Sequence, residues 1–374
     1  MNCLAVSDNF LAISKGLHVD CYSTQHNFFN VPCKSESQEN DRISDIAIAP
    51  DEKHLAIITS VSKQLLVCNL PGMETTIAFT LPRSASKIRF TANNSHVLVA
   101  DKSGDVLIYD ITDEDSGTKL LGHLSILLDV LQTNDGKYII SSDRDEKIRV
   151  SCFPNTYNIQ TYCLGHREFV NHIEILPHSE KYLTSASGDG TVKCWDYVTG
   201  ALCHNINAYL DVDDVGLKEH FAKIMDEEGV EVTTLPIVHY TATALDEDTS
   251  VLAIAIHGYN KLLIYSLETR NKQFLHKKED SVMLERFPAA IKFHKSSLFV
   301  YDDVDNTVCI IKIVWINSKL NFECDKKLTM FINVNVNGEL NSSIDAIKVL
   351  YKRKFDNVQE YQERKKQRLE KVSQ

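Results

Sequence analysis

The fold of this chain is decided by the stretch SASGDGTVKCWD at residues 185–196. The same pattern recurs without a gap in SSDRDEKIRVSC at 141–152, and VADKSGDVLIYD at 99–110 fits the same frame. Weaker copies are IITSVSKQLLVCN at 57–69, IAIHGYNKLLIYS at 254–266, VYDDVDNTVCIIK at 300–312 and GLHVDCYS at 16–23. Seven copies of one pattern predict an architecture built from repeats.

The spacing of the copies identifies the repeating unit. With the Trp195 position as a marker, five of the six intervals are 41 to 46 residues long and the sixth is 70. Turn signals such as Asn134-Asp135-Gly136 show the same period, and each divides two runs of alternating or apolar residues, which is typical of strand, turn and strand. A unit of about 40 to 45 residues with four short strands is a WD-repeat blade. The sequence therefore predicts an all-β, seven-bladed WD-repeat β-propeller.

The chain divides into a ring and a tail. We expect the propeller over 1–341 and a helical, basic tail over 342–374. The N-terminal strands of 3–42 are expected to be completed by a strand from 328–341, which would tie the two chain ends together. The long interval is explained by an acidic insert at 209–236, where KEHFAKIMDEE predicts a short helix able to dock on the ring.

One blade carries a set of polar residues that could be mistaken for a catalytic site. Resemblance to WD-repeat proteins implies a buried hydrogen-bonded chain of His166, Ser185 or Ser187, Asp189 and Trp195. The repeating spacing favours this structural role over a His–Asp catalytic dyad, because a fully bonded buried carboxylate stiffens a blade and does no chemistry. The preceding copy keeps His123 and Asp145 but has Ser151 at the tryptophan position.

Composition and motifs exclude several classes of function. A net charge of −11 argues against a free-standing nucleic-acid binder. The ten cysteines form no CxxC pair, the N-terminus lacks the features of a signal peptide, and the apolar runs are too short to cross a bilayer. We therefore expect a soluble intracellular protein with reduced thiols. The sequence contains no HExxH, no GxSxG and no glycine-rich phosphate loop, so we expect a binding scaffold with no metal and no cofactor of its own.

The tail combines helical spacing with positive charge. Ile344, Ile347, Tyr351, Phe355 and Val358 recur at helical intervals, and 352–371 carries eight Lys or Arg against four acidic residues. Two basic clusters separated by nine residues resemble a bipartite nuclear import signal, although a solvated helix end has the same composition. The tail thus predicts a nuclear protein with some cytoplasmic pool.

A family resemblance rests on four segments. GHLSILLDV at 122–130, SSDRDEKIRVS at 141–151, LGHREFVNHI at 164–173 and LYKRKFDNVQEY at 350–361 resemble the non-catalytic WD-repeat subunit of the eukaryotic tRNA (guanine-N7)-methyltransferase, with animal and insect members as the expected nearest relatives. The resemblance implies a heterodimer with a catalytic subunit that holds S-adenosylmethionine and forms 7-methylguanosine in the variable loop of certain tRNAs.

The resemblance also implies which residues bind. The partner is expected on the blades within 126–208, and the family's interface arginine is replaced by His172, so that contact is in doubt or passes to Arg167. The candidate partner-binding residues are Arg144, Glu146, Arg167, Glu168, Phe169 and His172, against the alternative of a solvated loop with weak local ion pairs. The candidate tRNA phosphate contacts are Lys352, Arg353, Lys354, Arg364, Lys365, Lys366 and Arg368.

Two other functions remain open at this point. A general WD-repeat scaffold or substrate receptor, in ubiquitin ligation or genome maintenance, has the same fold. An enzyme built on a propeller is the third class, but the sequence shows no constellation for it. DRDEKIRVS, GHREFVNHI and the tail favour the methyltransferase subunit, because a generic receptor has no need of them.

Overall fold

A computed structural model of the chain describes residues 4–23, 26–31, 41–114, 117–316, 319–329 and 344–352. These residues form seven four-stranded antiparallel sheets, each built from four strands consecutive in the chain. The predicted seven-bladed propeller is confirmed.

The first four blades extend to residue 163. Their strands are β1 Leu4–Val6, β2 Leu11–Lys15, β3 His18–Tyr22 and β4 His26–Asn30; β5 Ile43–Ile48, β6 His54–Thr59, β7 Gln64–Asn69 and β8 Thr75–Thr80; β9 Ala85–Phe90, β10 His96–Asp101, β11 Asp105–Asp110 and β12 Thr118–Gly122; and β13 Leu127–Gln132, β14 Tyr138–Asp143, β15 Ile148–Cys152 and β16 Ile159–Cys163.

The last three blades end with longer outer strands. Their strands are β17 Val170–Ile175, β18 Tyr182–Ser187, β19 Thr191–Asp196 and β20 Ala201–Asn207; β21 Ile237–Ala244, β22 Thr249–Ile256, β23 Lys261–Arg270 and β24 Gln273–Met283; and β25 Ala290–His294, β26 Ser297–Asp302, β27 Thr307–Ile316 and β28 Lys319–Thr329.

The core lies between neighbouring blades, and strand β22 shows how the sequence builds it. Leu252 and Ile254 pack towards blade 5, whereas Val251 and Ala253 pack towards blade 7. Successive side chains of a strand point to opposite faces, so an uninterrupted apolar run fills two inter-blade layers at once. Each such aliphatic side chain stabilises the fold by about 1.5–3 kcal/mol on burial.

The ring closes differently from the expectation. The first sheet takes all four strands from residues 4–30, because HNFFN at 26–30 pairs with β3, and β28 pairs with β27 in the last blade. The predicted completion of blade 1 by 328–341 is therefore wrong for 328–329, and 330–341 lie outside the described residues. Side chains join blades 1 and 7 instead: Leu4 and Ile13 pack with Tyr301, and Lys15 donates to the carbonyl of Asp303 at 2.9 Å.

The acidic insert forms the predicted helix. A single 3₁₀ turn at Ala208–Asp211 is followed by α1 at Val215–Glu227, whose first turn is capped by the Asp214 carboxylate. Phe221 and Met225 are buried in the core between blades 5 and 6, so the helix docks on the ring.

The tail contributes a second, short helix, α2 at Ile344–Lys348. Ile347 and Leu350 lie at the wall of the central channel, a cavity of about 770 Å³ surrounded by the inner strands. The predicted continuation of the tail through Phe355 and Val358 lies outside the described residues. Neither α1 nor α2 is long and apolar enough to span a membrane.

Candidate interaction surface on blades 4 and 5

Blade 5 contains the hydrogen-bonded chain that the repeat predicts, and Ser185 is its serine. Trp195 donates its indole N–H to Oγ of Ser185 at 2.8 Å, and that hydroxyl lies 2.7 Å from Nε2 of His166. The other ring nitrogen, Nδ1, donates to Oδ2 of Asp189 at 2.9 Å. Burial lowers the pKa of His166, which keeps the ring in the neutral form that can accept from serine and donate to aspartate.

Asp189 has its lone pairs filled. Its carboxylate also accepts from the Thr191 hydroxyl at 2.6 Å and from the Arg167 backbone amide at 3.0 Å. Burial opposes the charge, but the bonds from His166 and Thr191 outweigh it and hold the pKa of Asp189 well below its usual range. The Asp189 carboxylate is therefore a rigid structural ion, and its acceptor positions are all occupied by groups of the blade.

Blade 4 uses a different aspartate from the one predicted. His123 donates from Nδ1 to Oδ2 of Asp143 at 2.8 Å and contacts Ser141 from Nε2 at 2.8 Å. The assignment of Asp145 to this chain is wrong. Asp143 ends strand β14 and is buried, so its carboxylate reaches the histidine, whereas Asp145 lies in the turn and faces Lys352 at 3.9 Å. Ser151 instead accepts from Arg149 at 2.9 Å.

The two polar chains position two arginines. Arg167 follows His166 directly, is exposed, and has its amide bound to Asp189. Arg144 follows Asp143 directly, its amide donates to the Ile126 carbonyl at 2.9 Å, and its side chain remains 35% exposed. The Arg167 guanidinium therefore projects from backbone that a buried carboxylate holds, whereas the Arg144 guanidinium projects from backbone that the Ile126 carbonyl holds.

An apolar residue that the sequence reasoning missed lies in the loop between β12 and β13, ahead of blade 4. Leu124 is fully exposed, and it follows His123 just as Arg167 follows His166. That equivalence within the repeat was the signal that could have identified it. We define the blade 4–5 surface as Leu124, Arg144, Glu146, Arg167 and Glu168.

Phe169 is not part of this surface, although it was predicted to bind the partner. Only 2% of it is exposed, and its ring meets the edge of the Tyr351 ring with the two ring centres 5.1 Å apart. The expected exposure is wrong because Tyr351, which arrives from the C-terminal segment, covers the loop. Tyr351 also donates its hydroxyl to the Gly188 carbonyl at 3.0 Å, which fixes α2 to blade 5.

His172 lies apart from the other predicted partner-binding residues. It belongs to the innermost strand β17, lines the central channel, and donates from Nε2 to the Val238 carbonyl at 2.7 Å. Burial lowers the pKa of His172 to about 4, so the ring is neutral at physiological pH. The structure does not bring it together with Arg167, and its place in the channel makes it a poor substitute for an interface arginine.

Acidic residues of the surface hold the start of the basic tail. The Lys352 ammonium donates to the Glu146 carboxylate, and both charges lie close enough to Glu168 to change its pKa. Burial raises the pKa of Glu168 to about 7, helped by Glu146 and Asp189 and opposed by Lys352. Of the predicted phosphate contacts only Lys352 is described; Arg353, Lys354, Arg364, Lys365, Lys366 and Arg368 lie outside the described residues.

The residues of this surface offer groups for a protein contact and none for catalysis by a metal. Within the described ranges, no three His, Cys, Asp or Glu side chains come together to hold a metal ion. Two arginines and an exposed leucine on loops of the same two blades suit an interface in which a few anchors carry the energy. Fold and site together define a WD-repeat propeller of the scaffold class.

Solved structures show the same fold at low identity. A chain of the "Crystal Structure of Mitotic Checkpoint Complex" matches with a TM-score of 0.64 and 12% identity, covering 81% of this chain and 88% of that one. The β-propeller domain of Cps50 (Swd1) from Myceliophteria thermophila matches with a TM-score of 0.64 and 11% identity, covering 84% and 96%. At this identity the likeness concerns the fold alone.

Sequence comparison gives the family. The family described as "tRNA methyltransferase TRM82 WD40 domain" matches residues 112–308. The "tRNA (guanine-N(7)-)-methyltransferase non-catalytic subunit wdr4" of Danio rerio is 31% identical over 348 residues, covering 90% of this chain and 79% of its own. The non-catalytic subunit wuho of Drosophila pseudoobscura pseudoobscura is 30% identical over 358 residues, covering 89% and 79%. This chain belongs to the family of non-catalytic tRNA (guanine-N7)-methyltransferase subunits, as the resemblance predicted.

Proposed function

We propose that this chain is the non-catalytic subunit of a heterodimeric tRNA (guanine-N7)-methyltransferase. It stabilises the catalytic subunit and assists tRNA binding during formation of 7-methylguanosine, and it transfers no methyl group itself. Membership of a family of non-catalytic subunits supports this role. The observation that carries the proposal is the blade 4–5 surface, because an exposed leucine and two arginines on fixed loops suit a scaffold.

The catalytic subunit binds at the blade 4–5 surface. Leu124 offers an apolar anchor, and Arg144 and Arg167 offer guanidinium groups that pair with carboxylates in a planar, two-bond geometry. Their backbone is fixed before binding: the Arg167 amide donates to the Asp189 carboxylate, and the Arg144 amide donates to the Ile126 carbonyl. Little conformational entropy is then lost on association. The matching surface of the partner is acidic around an apolar pocket.

The cofactor belongs to the partner. S-adenosylmethionine is bound by the catalytic subunit, and this chain needs no cofactor. By holding loops of the enzyme in one productive arrangement, the propeller lowers the ordering cost of the reaction.

The tail assists binding of tRNA. Lys352 places the beginning of the basic segment beside Glu146, at the edge of the blade 4–5 surface. Lysines and arginines of the tail then contact tRNA phosphates, an interaction that depends on salt and not on sequence. The same basic clusters direct the protein to the nucleus, with some cytoplasmic pool.

The test is charge reversal at the proposed anchors. Arg144→Glu combined with Arg167→Glu is expected to weaken binding of the catalytic subunit at least tenfold in a calorimetric titration, with an unchanged melting temperature. The matched control is Arg270→Glu combined with Arg286→Glu, which reverses two exposed, ion-paired arginines on blade 6 and ahead of blade 7. Equal affinity of both double variants would reject the surface, and absence of any complex with the wild-type chain would favour a general scaffold or substrate receptor.

A further inference from the structure

Two cysteine side chains meet across the outer hairpin of blade 7. Sγ of Cys309 on β27 lies 3.1 Å from Sγ of Cys324 on β28, 15 positions later in the chain. We infer that this pair is a thiol modification site, at which a peroxide closes a reversible disulfide bond within the chain. The family model matches residues 112–308 and so ends just before Cys309, and the proposed partner contact lies on other blades.

The register of the two strands explains why the sulfur atoms meet. Cys309 pairs with Lys327, and Cys324 pairs with Ile311. Alternate positions of a strand share a face, so Cys309 and Ile311 project to the same side of the sheet. The two cysteines are therefore diagonal neighbours, and a shift of register between Ile310 and Ile311 lies at the point between them. A disulfide bond is about 2.05 Å long, so the two sulfur atoms already lie within about 1 Å of bonding distance.

The two thiols are not equivalent. Cys324 is exposed and Cys309 is only partly so. Burial raises the pKa of Cys309 to about 12, and its hydrogen bond with Cys324 acts in the same direction. The exposed Cys324 is therefore the sulfur that meets an oxidant first. Lys327 beside the pair favours negative charge on Cys309, and Glu285, which is ion-paired with Lys327, opposes it.

The chemistry takes two steps. The Cys324 thiolate attacks hydrogen peroxide: a sulfur–oxygen bond forms, the oxygen–oxygen bond breaks, and the released hydroxide takes up a proton to leave as water. The Cys309 sulfur then attacks the sulfenic sulfur of Cys324, forming the disulfide and releasing the oxygen, with the thiol proton, as a second water molecule. Two electrons pass from the two sulfurs to the peroxide.

The bond would cross-link the last two strands of the ring. β28 leads directly into the chain that continues to α2, so the cross-link fixes the strand from which the C-terminal segment departs. Exposed disulfides of this kind are readily reduced, as a reversible modification requires.

The experiment is peroxide treatment of the purified full chain, followed by alkylation, intact mass measurement and peptide mapping. Before alkylation, the wild-type chain is expected to lose about 2 Da, the mass of two hydrogen atoms. After alkylation, it should carry two alkyl groups fewer than the untreated chain, and dithiothreitol is expected to reverse both changes. Peptide mapping should join Cys309 to Cys324. The matched control is Cys152→Ser, which removes a half-buried thiol whose sulfur lies 4.0 Å from Gln160 and near no other sulfur in the described contacts; it should oxidise like the wild type.

Cys309→Ser removes the resolving thiol. It is expected to fold, as judged by its melting temperature, and to take up oxygen at Cys324 in place of the cross-link. The inference is overturned if the wild-type chain keeps both thiols under peroxide, or if it gains oxygen at Cys324 without forming the bond. The wild-type peptide map decides the matter even where a serine variant fails to fold.

Discussion

The backbone amide of Arg167 donates a hydrogen bond of 3.0 Å to Oδ2 of Asp189. One buried carboxylate thus joins the interior of blade 5, through His166, to an exposed residue of the blade 4–5 surface. A hydrogen bond to a charged acceptor is stronger than one between neutral groups. Stability of the blade and the position of the proposed anchor therefore depend on the same group.

Replacement of Asp189 by alanine tests this connection. The change leaves the Nδ1–H of His166 and the Arg167 amide without their acceptor, and it should lower the free energy of unfolding by about 1–3 kcal/mol. Binding of the catalytic subunit should weaken as well, because the Arg167 loop is no longer fixed. Urea unfolding measures the first effect and calorimetric titration the second. Unchanged stability would show that the chain of hydrogen bonds is not structural.

A pair of substitutions in blade 4 tests which aspartate belongs to the buried chain. Asp143→Ala removes the acceptor of both His123 and the Lys147 amide and should cost about 1–3 kcal/mol. Asp145→Ala, two residues away, removes only long ion pairs at the surface and should cost about 0–1 kcal/mol. Thermal and urea unfolding of the two variants give the comparison. A larger loss for Asp145→Ala would restore the assignment that the sequence suggested.

Glu168 makes stability depend on pH. Its pKa is raised to about 7, mainly by burial, so the folded state favours the protonated acid. The stabilisation from protonation is present at low pH and is lost as the pH rises through about 7. Glu168→Gln, which is neutral at every pH, should therefore be more stable than the wild type above pH 7, and the difference should shrink as the pH falls towards the ordinary value of a glutamate. Melting temperatures from pH 4.5 to 8 measure it, with the exposed Glu219→Gln as control. A difference independent of pH would contradict the shifted pKa.

The tail is tested by neutralising its second basic cluster. Replacing Arg364, Lys365, Lys366 and Arg368 by glutamine leaves the described ring untouched, so the protein should fold normally. Affinity of the heterodimer for tRNA should fall modestly, with a shallower dependence on salt, because fewer counterions are released. Nuclear accumulation should fall too. An unaltered salt dependence would remove the tail from the account of tRNA binding.

The period of the repeat predicted most of the fold, because blade geometry follows from alternating strands and turns at a fixed period. The same period identified His166, Asp189 and Trp195. The prediction was wrong where the choice between two residues depended on contacts with residues far away in the chain. Two aspartates in one hairpin look alike in sequence, and only burial distinguishes Asp143 from Asp145.

Exposure was the least predictable property. Phe169 reads in the sequence as an exposed loop aromatic, but Tyr351 covers it, and these two residues are 182 positions apart in the chain. The predicted closure of the ring was wrong for a related reason. The short run at 26–30 forms a strand by pairing with β3, and its own sequence does not predict that pairing. Local pattern cannot supply either fact.

If this chain acts only through a catalytic partner, labelled methyl transfer from S-adenosylmethionine to tRNA will show it. The assay compares the propeller alone, the catalytic subunit alone and the two together. We predict no transfer by the propeller, and a rise in methylation of guanine N7 that saturates at one propeller per catalytic subunit, because a fixed binding surface orders the enzyme. Transfer by the propeller alone, or a catalytic subunit indifferent to its presence, would contradict the account.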